Sequence, residues 1–183
     1  MTDEYVIESL SPQAFLALRE ALVAVYRAAF LPPPYEKTEG AMQQFANALA
    51  RHVRQEGFRA FVAREGQAGE VVGLAYGYTS RQGQWWHDHV SRALGREKAA
   101  YWLGDAFELV ELAVSPERQG LGLGGRLHDA LLGEATQRTA VLSTLDAETA
   151  GFHLYRRRGW QVLLRDFHFP GVQRRYQIMG REL

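Results

Sequence analysis

Ser115-Pro116-Glu117-Arg118-Gln119-Gly120-Leu121-Gly122-Leu123-Gly124-Gly125-Arg126-Leu127 is the stretch that decides how this chain is read. Four glycines fall in the six positions 120–125, which is not helix-forming composition. The apolar run 107–114 before them reads as a strand, and Leu123, Leu127, Ala130 and Leu131 after them keep helical spacing. Glycine lets the backbone turn sharply with its N–H groups aimed inward, and a helix start adds four unpaired donors and the positive end of a dipole. Such a loop is a cradle for a diphosphate, whereas a plain strand-to-helix link needs only one or two glycines.

Three phosphate-binding loops compete for the stretch. A P-loop ends in Gly-Lys-Ser/Thr, but Gly125 is followed by Arg126 and Leu127, which disfavours ATP or GTP hydrolysis. A dinucleotide fingerprint starting at Gly122 and Gly124 demands a glycine where Leu127 stands, although Asp146 stands where a ribose-binding acid belongs. The third pattern is Gln119-x-x-Gly122-x-Gly124 behind Glu111-Leu112-Ala113-Val114-Ser115-Pro116.

Outward from the loop, 107–114, a helix at 122–135 and a strand at 140–145 form a βαβ unit. Before it come a strand at 4–10, a helix opened by Ser11-Pro12 and stopped by Pro32-Pro33-Pro34, a second helix from about 38 to Gly57, and a hairpin of 58–63 with 71–79. Residues 81–105 carry Trp85, Trp86, His87, His89 and Trp102 and two short helical patterns where a compact sheet needs only a turn, so they read as an insertion. A helix at 149–158, ending at Gly159, and strands at 160–167 and 174–180 complete the pattern. With 183 residues and no linker, the chain is expected to be a single domain over 1–183.

Composition removes several function classes. Lys+Arg and Asp+Glu are 21 each, so no long-range field draws the chain to nucleic acid or acidic lipid. With no Cys there is no disulfide, thiolate metal site or acyl-Cys intermediate, and the acidic start Met1-Thr2-Asp3-Glu4 is unlike a secretory signal, so the cytoplasm is the expected location. Only Lys37 and Lys98 are lysines, a bias read as genomic and given no functional weight. None of the six histidines shows triad spacing, no Gly-x-Ser-x-Gly elbow is present, and His87-x-His89 lacks a third ligand at a telling distance, so no metal is expected.

The third loop pattern closely resembles motif A of the GNAT superfamily of acyl-CoA-dependent N-acyltransferases. Ala150-Gly151-Phe152-His153-Leu154-Tyr155-Arg156-Arg157-Arg158-Gly159-Trp160, at the distance that family expects, resembles motif B. The resemblance spans roughly 58–165, and it departs from the family at Glu148, often Asn, at Gly151, often Ala, and in the insertion. It implies an α+β fold with a mixed, splayed sheet flanked by helices, and acetyl-CoA as co-substrate without metal. It implies that backbone from Gln119 through Gly120, Leu121, Gly122, Leu123, Gly124 and Gly125 holds the pyrophosphate, with Arg118 and Arg126 flanking it and Leu112 and Val114 bonding the pantetheine arm.

Acetyl transfer to an amine needs a base for the ammonium proton and an acid for the leaving thiolate. Glu108 and Glu111 both stand in an otherwise apolar strand, where a charge must be paired or used. By family position Glu108 is the base and Tyr155 the acid; a salt bridge for the first and a core role for the second are the structural alternatives, and Glu111 is the rival base. Tyr35, Trp85, Trp86 and Asp88 are the acceptor-side candidates, since indole faces and a carboxylate both attract a cationic amine. The reading is an N-acetyltransferase acting by direct transfer in a ternary complex on an unidentified primary amine, a small molecule before a protein. No nucleic-acid or membrane partner is expected, and a homodimer is preferred. A non-catalytic acyl-CoA-binding or sensing module is the alternative, against which Glu108 and Tyr155 argue, and a nicotinamide oxidoreductase is disfavoured by Leu127.

Overall fold

The computed structural model describes residues 5–183; the acidic start Met1–Glu4, including the first residue of the strand expected from position 4, lies outside the described residues. Seven strands form one mixed sheet in the order β1-β2-β3-β4-β5-β7-β6. The chain divides into two compact units, one comprising the residues up to Tyr78 with Glu111–Glu134, the other Thr79–Val110 with Ala135–Leu183.

In the first unit β1 (Tyr5–Leu10) pairs antiparallel with β2 (Arg59–Glu65), and β2 with β3 (Val71–Ser80), setting Ala60 opposite Tyr76 with a register shift at Ala63/Arg64. Ser11 caps α1 (Pro12–Ala17) by accepting the Ala14 N–H at 3.1 Å. The single helix expected up to Pro32 is two helices: the chain leaves helical geometry at Leu18 (ψ 13°) and resumes as α2 (Arg19–Phe30). No glycine or proline marks that break. Thr38 caps α3 (Glu39–His52), which stops short of Gly57. Phe15, Leu22, Leu49 and Tyr76 fill the core beneath these helices. Gly73 lies where α6 (Leu123–Gly133) crosses the sheet, because a Cβ there would come within 2.9 Å of Leu127 Cδ1.

In the second unit the segment 81–105 folds as α4 (Trp85–Leu94) and α5 (Arg96–Leu103), matching its two helical patterns. β4 (Ala106–Val114) pairs with β5 (Thr139–Leu145) in parallel, as the βαβ spacing predicts, and the register runs from Ala106↔Thr139 to Glu108↔Val141. β5 pairs antiparallel with β7 (Tyr176–Glu182), and β7 with β6 (Gln161–Phe167); α7 (Ala150–Arg157), capped by Thr149, precedes them. Val90, Leu94, Trp102, Ala106, Val141, Phe169 and Ile178 form its core. The Trp102 ring lies so close over β7 that a Cβ on Gly180 would meet it at 2.7 Å. Among the described residues no helix is long and apolar enough to cross a membrane.

Candidate active site

The glycine loop belongs to the first unit. β4 ends at Val114, the Ser115 N–H donates to the Val72 carbonyl at 2.8 Å, and Pro116–Arg118 makes one 3-10 turn. Gln119 folds back on this turn, its N–H donating to the Pro116 carbonyl at 3.2 Å and its side-chain amide to the Val114 carbonyl at 2.9 Å. Gly120 and Gly122 both sit at φ +79°, the left-handed region that disfavours a side chain, and a Cβ on either would meet nothing within 4 Å. Gly122 opens α6 without any side-chain cap, so the first turn keeps its orphan N–H groups. Open space beside two left-handed glycines and uncapped donors at the positive end of an eleven-residue helix are what a pyrophosphate requires. The pyrophosphate of acetyl-CoA fits this loop.

The residues flanking the glycines have partners of their own. Arg118 Nη2 reaches the Glu65 carboxylate at 3.3 Å, and Arg126 Nη2 donates to the Tyr5 carbonyl at 3.0 Å. Leu121 is 55% exposed at the loop's tip, Leu112 is half-buried and Val114 is buried. Glu111, the residue before Leu112, is half-buried; desolvation pushes its carboxyl above the usual range and the Lys37 ammonium pulls it back. Tyr35 packs edge-on against Phe30, with ring centroids 4.9 Å apart.

In the second unit Glu108 is 4% exposed and is the last register pair of the β4–β5 ladder. Its partner Val141, and Ala106 two residues before it, both belong to the cluster made with Val90, Leu94 and Trp102. Register partners and alternate strand residues share a face, so Glu108 stands on the face that carries α4 and α5. Tyr155 is buried in α7, its ring edge-on to Trp160 at 5.8 Å.

The adjacent tryptophans point different ways. Trp86 donates its indole N–H to Ser143 Oγ at 3.1 Å and packs on the core, while Trp85 is 54% exposed, stacked on Phe169 and tilted over His89. Asp88 accepts the Gly83 N–H at 2.9 Å and so braces the turn before α4. His87 Nδ1 lies 3.0 Å from Ser80 Oγ, and burial lowers its pKa against the raising influence of Asp88. His89 Nδ1 lies 2.6 Å from the Trp85 carbonyl oxygen. Among the described residues no group of three or more His, Cys, Asp or Glu is arranged to hold a metal ion.

The acetyltransferase (GNAT) family model matches residues 16–160. This chain belongs to the GNAT family. It is an acyl-CoA-dependent N-acetyltransferase, with acetyl-CoA as the co-substrate. The GCN5-like protein acetyltransferase Rv2170 of Mycobacterium tuberculosis (strain ATCC 25618 / H37Rv) is 32% identical over 160 residues, covering 72% of this chain and 78% of that protein. Two solved structures share the fold of this GNAT enzyme. PH1933 from Pyrococcus horikoshii OT3 has a TM-score of 0.65 at 20% identity over 98% of this chain and 99% of its own. The PaiA N-acetyltransferase from Thermoplasma acidophilum, in complex with coenzyme A, has a TM-score of 0.64 at 15% identity over 99% and 100%.

Sequence reasoning missed the surroundings of Lys37 in this GNAT enzyme. The ammonium donates to Tyr26 Oη at 2.6 Å and lies 4.4 Å from the Phe30 ring centroid and 4.7 Å from that of Tyr26. Tyr26 and Phe30, four residues apart on one helix and just upstream of one of only two lysines, were the available signal. His52 was missed as well: its Nδ1 lies 3.0 Å from Tyr76 Oη, and burial lowers its pKa to about 4.

Proposed function

We propose that the chain works as one N-acetyltransferase domain that moves the acetyl group of acetyl-CoA directly to a primary amine in a ternary complex, with no covalent enzyme intermediate. The observation that carries this reading is the open, positive-φ glycine loop running into the uncapped start of α6. Backbone N–H groups after Gln119 hold the pyrophosphate, and Leu112 and Val114 bond the pantetheine arm as an added strand would. Acetyl-CoA supplies the acetyl thioester. Glu108, buried on the face of α4 and α5, takes the proton of the acceptor ammonium, and the Tyr155 hydroxyl gives a proton to the departing sulfur.

The acceptor is a small amine, recognised in part by Trp85, Trp86 and Asp88 of α4 and by Tyr35. Arg118 and Arg126, anchored at Glu65 and Tyr5, add positive charge beside the phosphates. A protein amine is the second reading, favoured by the protein acetyltransferase Rv2170 among the relatives. The test is an amine screen with acetyl-CoA that follows thiol release, run beside a panel of lysine-bearing peptides. Release with a small amine supports the first reading, and release with peptides alone supports the second. No release with either, from a protein that binds acetyl-CoA, overturns catalysis.

A further inference from the structure

Ser143 is the polar interruption of an apolar face. Its register partner in β7 is Ile178, and Val141 stands two positions before it on β5. Ile178 and Val141 both belong to the cluster under α4 and α5, so Ser143 stands on that face as well. It is also the face of Glu108, whose register partner is Val141. The β4–β5 ladder ends at that pair while β5 runs on to Leu145, so Ser143 is the first residue on this face beyond the ladder. Strands about 4.8 Å apart and two positions of about 3.3 Å set the β-carbons of Glu108 and Ser143 about 8 Å from each other.

Trp86 holds the serine in place. Its indole N–H donates to Ser143 Oγ at 3.1 Å, and an indole is a donor only, so the bond takes one oxygen lone pair and leaves the second lone pair and the O–H for other groups. The indole is itself fixed, packed on the cluster from the first turn of α4. Gln84 braces the entry to that turn: its side-chain amide donates to the Thr79 carbonyl at 3.1 Å, and its side-chain oxygen accepts the Arg81 N–H at 2.8 Å. Ser143 stays half-buried beside a closed apolar cluster, so its hydroxyl is oriented and still open in part to a ligand.

We propose that Ser143 binds the nitrogen of the amine acceptor, sharing its N–H groups with Glu108; the proposal rests on the reading of Glu108 as the base. One ammonium proton passes to the Glu108 carboxylate, while another N–H donates to the remaining lone pair of Ser143 Oγ. Two hydrogen bonds of about 2.9 Å to a single nitrogen fit between the two side chains across that span. Holding the nitrogen from two sides fixes the direction of the lone pair that deprotonation exposes. Trp86 thus serves the acceptor through this serine, by orienting its hydroxyl.

The acceptor probes are benzylamine and a lysine-bearing peptide, and whichever the parent enzyme acetylates faster, followed by thiol release from acetyl-CoA, is used for every variant. Ser143→Ala, checked for folding by circular dichroism, is expected to raise the acceptor KM about tenfold, the scale of a hydrogen bond from a charged donor, with kcat within about threefold of the parent. Acetyl-CoA affinity by calorimetry stays unchanged. Ser143→Thr keeps the hydroxyl and recovers most of the loss, and Trp86→Phe, which keeps a packed ring without the N–H, raises the acceptor KM less than Ser143→Ala does. Three outcomes overturn the proposal: an unchanged acceptor KM in Ser143→Ala, a Thr variant no better than the Ala variant, or a Trp86→Phe variant as impaired as Ser143→Ala, which makes the serine a prop for the tryptophan. The base reading fails separately, since a full-rate Glu108→Gln enzyme in which Ser143→Ala still raises the acceptor KM keeps the role of the serine and removes that of the glutamate. Thiol release with neither probe, from a protein that binds acetyl-CoA, removes both.

Discussion

The two ends of β4 set a glutamate in different surroundings. At the end near Ala106, Glu108 is buried on a face shared with α4, α5 and the Val90–Trp102 cluster, at the last step of a parallel ladder. At the end near Val114, Glu111 is half-buried, is pushed above the usual carboxylate range by desolvation with the Lys37 charge acting the other way, and immediately precedes the backbone that leads to the glycine loop. The same side chain three residues apart thus stands beside an apolar cluster in one unit and is desolvated within the field of a cation in the other. At Glu111 desolvation raises the carboxyl and the Lys37 charge lowers it, and the raising effect is the larger. Under the proposed function Glu108 is the base for an incoming acceptor, and Glu111 is its rival.

The sharpest way to break the comparison is Glu108→Gln, which keeps the shape and removes the basicity. Turnover of an amine identified in the screen should fall by about 10² to 10³, and the acidic limb of the pH–rate profile should disappear. A full-rate variant with an unchanged profile would return Glu108 to a structural role and promote Glu111 to base. Tyr155→Phe comes next, with turnover expected to drop about 10²-fold at nearly constant acetyl-CoA affinity, because the ring and its contact with Trp160 remain. Donors with more acidic thiols should be less affected. A rate within about twofold of the parent, where chemistry is rate-limiting, leaves water as the proton source.

On the donor side, Gly122→Val introduces a Cβ into the open space and strains a φ of +79°. Acetyl-CoA affinity by calorimetry should weaken by about tenfold or more, and an unchanged value in a folded variant means the loop holds something else. On the acceptor side, Trp85→Ala and Trp86→Ala should shift the acceptor KM while leaving that of acetyl-CoA almost alone. The reverse pattern would attach α4 to the donor side.

The smallest effect concerns His52. With its pKa near 4 when folded and 6.5 as the ordinary value, the unfolded chain binds more protons between those limits. The stability of the neutral ring is therefore fully present above about pH 6.5 and is lost as pH falls toward 4. Thermal midpoints of the parent should decline across that window more steeply than those of His52→Gln, and parallel curves would assign the acid loss to other groups.

What could be read without coordinates was whatever the chain writes locally. The glycine loop needs only consecutive residues, and the helices of 81–105 announce themselves by period, so both emerged as α6's entrance and as α4 with α5. Leu18 interrupts the first helix by a change in one dihedral that no residue type there signals. The anchoring of Arg126 to the Tyr5 carbonyl, and of Arg118 to Glu65, joins residues far apart in sequence, so both arginines looked free for phosphate. Lys37 was hidden because its ammonium is framed by two rings of α2 that only the turn of the chain after that helix brings it back to.

The division into two units has a spectroscopic consequence. All four tryptophans, Trp85, Trp86, Trp102 and Trp160, fall in the second unit. Indole emission during denaturation therefore follows that unit alone, while far-ultraviolet circular dichroism sums over both. Coincident curves by the two signals mark one cooperative transition, and an early or late fluorescence change resolves the unit of the Trp-rich helices from that of the glycine loop without any label.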